Sequence, residues 1–228
     1  LILVTADNGA NSLGAGGGAV NAFEKRFGKD NDPVILDRIL AQNKWGGAHT
    51  YMAYPTGWAQ VSNTPFRQYK RYTLNGGIRV PFVAHWPKGI GNTGSICPDW
   101  VHVTDIAPTL LDLAGAGYPA SFNGRPTQPQ DGRSIGALLK GGALHARSGQ
   151  NYELEGNRGY IREGWKIVSL QPHGKRIDLD NWMLFNLEAD PTEIDNLAQK
   201  HPDKLAEMVA HFEGDAAANF VYPIDSRQ

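Results

Sequence analysis

Three stretches of this 228-residue chain hold residues able to do chemistry together. The first is Asp7-Asn8, just after the apolar run Leu1-Ile2-Leu3-Val4. A carboxylate beside an amide offers adjacent oxygens of the kind a hard cation takes. The second is Lys70, set among Arg67, Tyr69, Arg71 and Tyr72. A compact ammonium close to such a cation suits an anionic substrate. The third is Asn75-Gly76-Gly77-Ile78-Arg79-Val80-Pro81, where a double glycine allows close backbone approach or unusual dihedrals. Each has a plainer reading when taken alone. Asp-Asn-Gly is a common turn, a lysine among arginines and tyrosines is usually a solvated face, and Arg79 would ordinarily pair with a carboxylate.

The elements that must position these residues are readable from local pattern. A short continuous apolar run reads as a buried parallel strand, so Leu1–Val4 is expected to be one, with Asp7-Asn8 past its carboxyl end. That is where open α/β sheets carry their ligands. Gly14-x-Gly16-x-x-Ala19 imitates a dinucleotide fingerprint, but a polar loop separates it from the strand, and flexible loop is the better reading. Residues 30–65 look loop-rich, with Trp45, Tyr51, Tyr54 and Trp58 among Gly and Pro, as in the wall of a pocket. His49 lies in this aromatic loop and is the best-placed histidine to line that pocket, together with Tyr54. His85 and His102 read as packing or capping residues.

Downstream, Ile78–Pro87 reads as a strand with Pro81 at its start. Asp105–Gly115 reads as a short helix stopped by Gly115, and another short helix is expected near Ile135–Leu139. From about Tyr152 the texture changes. Gly159–Leu170 predicts a hairpin turning at Glu163-Gly164, and Trp182–Leu187 a third strand. Asp190-Pro191-Thr192-Glu193 has the form of a capped helix start. Leu205, Met208, Val209 and Phe212 mark one face of a final helix. The expected architecture is α/β: residues 1–150 form part of a catalytic α/β domain, and residues 151–228 a small antiparallel sheet with a C-terminal helix.

Composition narrows the function classes. A net charge of −1 offers no basic stripe for nucleic acid. The 41% hydrophobic content suffices for a core, yet no stretch is long and apolar enough to span a membrane. The single cysteine, Cys97, excludes an internal disulfide framework and a cysteine-rich zinc site. With no initiator Met before so apolar a strand, the chain is expected to be the back half of an enzyme.

Thr5-Ala6-Asp7-Asn8-Gly9-Ala10, Trp58-Ala59 with Pro65-Phe66-Arg67-Gln68-Tyr69-Lys70, and Gly76-Gly77-Ile78-Arg79-Val80-Pro81 together resemble the carboxy-terminal half of type I sulfatases, bacterial arylsulfatases in particular. So do His85-Trp86-Pro87, Asp105–Gly115, Arg162-x-Gly164-Trp165-Lys166, Leu184-Phe185-Asn186-Leu187, Asp190-Pro191-x-Glu193 and Asn196-Leu197-Ala198. The resemblance implies an alkaline-phosphatase-like sandwich, of which this chain supplies the C-terminal part of the large mixed sheet. It implies a bound calcium ion, with magnesium as the alternative, for which Asp7 and Asn8 match two ligands. Lys70 matches a lysine that contacts the sulfate. The implied activity is hydrolysis of sulfate monoesters, on a small molecule or a sulfated glycan. Phosphonate or phosphodiester hydrolysis within the same superfamily is the neighbouring alternative. A formylglycine nucleophile, made from cysteine in a Cys-x-Pro-x-Arg setting, is expected in the missing N-terminal half. Cys97, in Ser95-Ile96-Cys97-Pro98-Asp99-Trp100, lacks that setting and is assigned no catalytic role. Without the nucleophile this chain by itself is expected to be an inactive fragment, or the remnant of a non-catalytic relative. Asn75 stands where the family often has Glu or Gln. The compartment, periplasmic or secreted against cytoplasmic, is left open.

Overall fold

In a computed structural model the described residues are 1–14, 16–28, 32–48, 50–91, 93–144, 147–172 and 176–224. In chain order the elements are β1 (Ile2–Thr5), α1 (Ala22–Arg26), α2 (Asp32–Ala41), α3 (Thr56–Ser62), α4 (Asn75–Ile78) and β2 (Phe82–His85). A 3-10 turn (Val103–Asp105) leads into α5 (Ile106–Leu113), followed by β3 (Ser121–Phe122), β4 (Arg125–Pro126) and α6 (Gly136–Leu139). The last part holds β5 (Gln150–Leu154), β6 (Asn157–Arg162), β7 (Trp165–Ser169), β8 (Met183–Asn186) and α7 (Pro202–Ala218). The chain packs as two units. One is Leu1–Asp7 with Pro81–Ala146, the other Asn8–Val80 with Arg147–Gln228. This grouping runs across a linear cut at residue 150.

In the first unit β1 pairs with β2, Ile2 facing His85 and Thr5 facing Phe82. The pairing is antiparallel and not the buried parallel one expected. Ile2 and Val4 are each 58% exposed, so no described element covers those side chains. An apolar run signals burial on both faces but leaves strand direction open, and here β2 returns alongside β1. Pro81 lies just before β2, as its missing N–H requires. The strand begins later than expected, because Asn75–Ile78 forms a helical turn. His102 caps the 3-10 turn: its backbone N–H donates to Asp105 Oδ2 at 2.9 Å, while its ring accepts from the N–H of Thr104. Thr109, fully buried on α5, accepts the N–H of Ile135 at 3.0 Å and so ties α5 to the start of α6. Gly115 (φ +66°) ends this segment, as expected.

In the second unit a four-stranded antiparallel sheet runs in the order β5-β6-β7-β8. β5 had no clear signal in the sequence. The β6–β7 turn places Glu163 (φ +50°) and Gly164 (φ +75°) in the left-handed region, as tight hairpins require. Period-two alternation gives the sheet two faces. Tyr160, Ile167 and Leu184 pack on Met208, Phe212 and Ala216 of α7, which recur every fourth residue on one helix face. Val168 and Phe185 pack the other way, on Leu74. The sheet therefore lies between α7 and the segment leading into α4.

Two expectations fail in this unit. Residues 30–65 hold α2 and α3, hidden in sequence by flanking Gly and Pro. Residues 190–193 begin no helix. Asp190 instead caps a turn: Oδ2 accepts the N–H groups of Ile194 (2.7 Å) and Asp195 (2.9 Å), and Oδ1 the Thr192 hydroxyl. The same side-chain chemistry serves N-caps and Asx-turns, so the sequence could not separate them.

Candidate functional site

The loop after β1 is held by a web of main-chain and amide hydrogen bonds within the second unit. Gly9 N–H donates to Gly77 O at 2.8 Å, Ala10 N–H to Asn63 Oδ1 at 3.0 Å, and Lys70 N–H to Ala10 O at 3.0 Å. The amides of α3 and its C-cap fix the far side. Asn63 Nδ2 donates to Gln68 O (2.9 Å), Gln60 Nε2 to Phe66 O (2.9 Å), and Gln68 N–H to Gln60 Oε1 (2.9 Å). Residues 8–10, 60–70 and 75–77 thus form one frame, with Asn8 and Lys70 on it.

Glycine is required where the strands of this frame meet. A Cβ on Gly9 would lie 1.8 Å from Gly76 O, and one on Gly77 1.9 Å from Tyr72 O. The double glycine therefore serves close backbone approach, the first of the two uses its sequence allowed. Strain gathers here as well. Gln68 (φ +66°) and Arg71 (φ +89°) flank Lys70, and Glu193 (φ +59°), whose carbonyl accepts from Arg67, is left-handed too. Such backbone costs on the order of 1–3 kcal/mol per residue and persists only where surroundings over-determine it. Arg71 Nε donates to Glu155 Oε2 at 2.6 Å, and an Arg67 guanidinium N–H donates to Glu193 O.

Beneath the frame lies a buried ion pair. Lys166 Nζ is 2.7 Å from Glu193 Oε1, and neither side chain is exposed. Lys166 Nζ also donates to Asn75 Oδ1 (2.9 Å), Asn75 N–H to Glu193 Oε2 (2.6 Å), and Asn75 Nδ2 to Pro191 O (2.8 Å). Burial pulls the Lys166 ammonium below its ordinary pKa, and the Glu193 carboxylate opposes that pull. Arg79 takes no carboxylate partner among the described residues: its guanidinium lies over the Phe66 ring, 4.6 Å from the centroid. Asn75 thus has a polar contact at its backbone N–H, its Nδ2 and its Oδ1.

Of the expected site residues, the second unit brings Asn8 and Lys70 onto one frame. Lys70 is half-buried, and its ammonium has no partner among the described residues. Asp7 is exposed and belongs to the first unit, next to Asn8 in the chain. Tyr54 is exposed, and no hydrogen bond or ring contact joins it to Lys70 among the described residues. His49 lies outside the described residues. His85 is exposed on β2, and Cys97 is an exposed free thiol. The donor chemistry of Asp7 and Asn8, a carboxylate and an amide oxygen, fits calcium or magnesium. It is a partial set: among the described residues no group of three or more His, Cys, Asp or Glu side chains could hold a metal ion. Sequence reasoning missed the roles of Lys166 and Glu193. Their one available signal was a lysine inside a strand, at a position sharing the Val168 face, where burial demands a partner.

Comparison with known proteins gives the context of this frame. A family model described as sulfatase matches residues 1–116, and one described as N-sulphoglucosamine sulphohydrolase, C-terminal, matches residues 66–215. An uncharacterized sulfatase of Schizosaccharomyces pombe is 31% identical over 170 residues, covering 73% of this chain and 30% of that protein. An arylsulfatase of Klebsiella aerogenes is 32% identical over 140 residues, covering 60% of this chain and 28% of its own length. The chain therefore spans less than a third of these curated relatives. The crystal structure of Ps i-CgsB in complex with k-i-k-neocarrahexaose superposes with a TM-score of 0.54 at 23% identity, over 85% of this chain and 40% of that one. At that identity the likeness speaks for the fold.

Proposed function

The chain belongs to the sulfatase family, with an alkaline-phosphatase-like fold, and on that premise we propose that the full-length protein hydrolyses sulfate monoesters. The observation that carries the reading is the hydrogen bond from Lys70 N–H to Ala10 O, 3.0 Å, which fixes the unpaired lysine's segment to the loop that follows Asp7-Asn8. Sulfatases generally use a metal ion and a formylglycine. In this reading the metal is calcium, with magnesium as the alternative, and the groups supply neutralisation of the ester oxygens and attack on sulfur when present.

The chain's own residues then have defined tasks. Asp7 and Asn8 offer oxygens to the cation, and Asn8 does so through its amide carbonyl. Lys70 meets a non-bridging sulfate oxygen, and its charge counters the negative charge that builds as the S–O bond to the leaving group breaks. Its backbone is fixed before substrate arrives, so little rearrangement is needed in the transition state. Tyr54 would lie toward the organic part of the ester. An aryl sulfate or a sulfated glycan is the substrate class, the latter supported by the carrageenan-type oligosaccharide named in the Ps i-CgsB complex.

The test is Asp7→Ala in the full-length protein, read by turnover of an aryl sulfate and by bound calcium. The proposal expects both to fall together. Unchanged turnover and calcium content would rule out the ligand assignment.

A further inference from the structure

We propose that the buried Lys166–Glu193 pair, with Asn75 bridging it, positions Lys70, so that the C-terminal sheet is a structural part of the sulfate site and not an appended module. The inference rests on the sulfatase reading, which gives Lys70 a substrate oxygen to meet. From Glu193 two lines of contact enter the segment that carries Lys70. One runs through the Glu193 carbonyl to the guanidinium of Arg67, whose own carbonyl accepts Gly76 N–H at 2.9 Å. The other runs through Glu193 Oε2 to Asn75 N–H at 2.6 Å, and Lys166 Nζ closes the triangle on Asn75 Oδ1 at 2.9 Å. Asn75 opens the turn that contains Gly77, whose carbonyl accepts Gly9 N–H at 2.8 Å. Glu193 therefore grips the segment before Lys70 through its main-chain carbonyl and after it through its carboxylate, which the pair with Lys166 fixes.

The physical argument turns on what a buried ion pair is good for. Desolvation of two charges largely cancels their attraction, so the pair is a weak source of stability, and apolar residues would fill the same space as well. A charged pair differs in direction: Glu193 Oε2 accepts from Asn75 N–H while Oε1 lies 2.7 Å from the Lys166 ammonium, which itself donates to Asn75 Oδ1. A segment needs such a fixture when its own backbone preferences oppose its shape. Gln68 and Arg71, on either side of Lys70, both hold left-handed dihedrals, and Glu193 does too. Asn63 and Gln60 hold Gln68 and Ala10 O takes the Lys70 amide, and the pair adds an anchor at Asn75, on the other side of the left-handed Arg71.

The test uses the full-length protein with Glu193→Gln, and Asn75→Ala as a milder variant should Glu193→Gln fold poorly. Native-state hydrogen exchange is read at the amides of Gly9, Lys70 and Gly76, and at core amides of β6, β7 and α7. The expected result is protection lost at the first group and kept at the second. Turnover of an aryl sulfate is read alongside in a cycle with Lys70→Ala. Misplacement of a substrate-contacting group on this scale lowers kcat/KM by about 100-fold, and that loss should vanish in the Lys70→Ala background, where there is no ammonium left to position. Equal loss of protection everywhere, or unchanged protection at all three amides, overturns the proposal, as does a loss of kcat/KM that multiplies with Lys70→Ala. If wild-type protein turns over no sulfate ester, the functional reading falls, while the exchange comparison still decides whether the pair holds the frame.

Discussion

On the side of the four-stranded sheet covered by α7, an apolar cluster of Tyr160, Ile167 and Leu184 against Met208, Phe212 and Ala216 dominates, with the buried Arg158 at its edge over Trp182. On the other side, a few ångströms away through the same strands, Lys166 is fully buried beside Glu193 and Asn75. Neighbouring residues of one strand, Lys166 and Ile167, thus enter opposite worlds. The α7 side has the construction that gives stability through area removed from water. The opposite side combines a smaller apolar cluster, Val168 and Phe185 on Leu74, with an ion pair that gives little net stability but fixes geometry. On the proposal above, one face mainly holds the fold together while the other also carries the contacts that aim Lys70.

The largest expected effects come from breaking each face in turn. Phe212→Ala should cost about 3–5 kcal/mol as a buried aromatic is lost. Lys166→Met should cost a similar ~3–5 kcal/mol, because Glu193 is left buried without its partner. Urea denaturation of both variants would show whether the two faces are matched in stability. Next, Lys70→Ala should leave the denaturation midpoint in place while kcat falls by about 100- to 1,000-fold, the usual consequence of losing one donor to a developing anion. A shifted midpoint with normal kcat would make Lys70 a packing residue. Smaller again, Gly77→Ala brings a methyl against Tyr72 O, and relief of that clash by backbone movement should cost about 1–3 kcal/mol. It should also raise KM, since Gly77 O holds the Gly9 amide.

The smallest effect concerns pH. Burial raises the pKa of Asp190, but bonds from the Asp195 amide, the Thr192 hydroxyl and the Ile194 amide outweigh it, and the net pKa lies below the ordinary 3.8. A depressed carboxylate contributes stability that is complete above 3.8 and fades as pH falls through the lower native value. Asp190→Asn should flatten the decline of the urea midpoint as pH falls below 3.8. An identical slope in both proteins would mean the turn is held by other contacts.

The apolar face was the more legible of the two in sequence. The α7 stripe, the β6–β7 hairpin with its Glu163-Gly164 turn, β8 and α5 all follow from local periodicity and turn chemistry. The polar face was not, because its partners lie far apart in the chain: Asn75, Lys166 and Glu193 meet only through the tertiary fold. Glu193 even had a local explanation, as the last residue of a capping box, and the fold uses it differently. The antiparallel pairing of β1 was hidden for a related reason, since four apolar residues carry no information on the direction of a neighbour. Candidate site residues were found by motif. The frame that holds two of them was not, apart from the glycines whose lack of a side chain it requires.

The most direct test of this division of labour compares Phe212→Ala and Lys166→Met in the full-length protein, with kcat/KM for an aryl sulfate expressed per folded molecule. The account predicts wild-type values for Phe212→Ala and a fall of about 100-fold for Lys166→Met at equal loss of stability. Equal values for the two variants would contradict it.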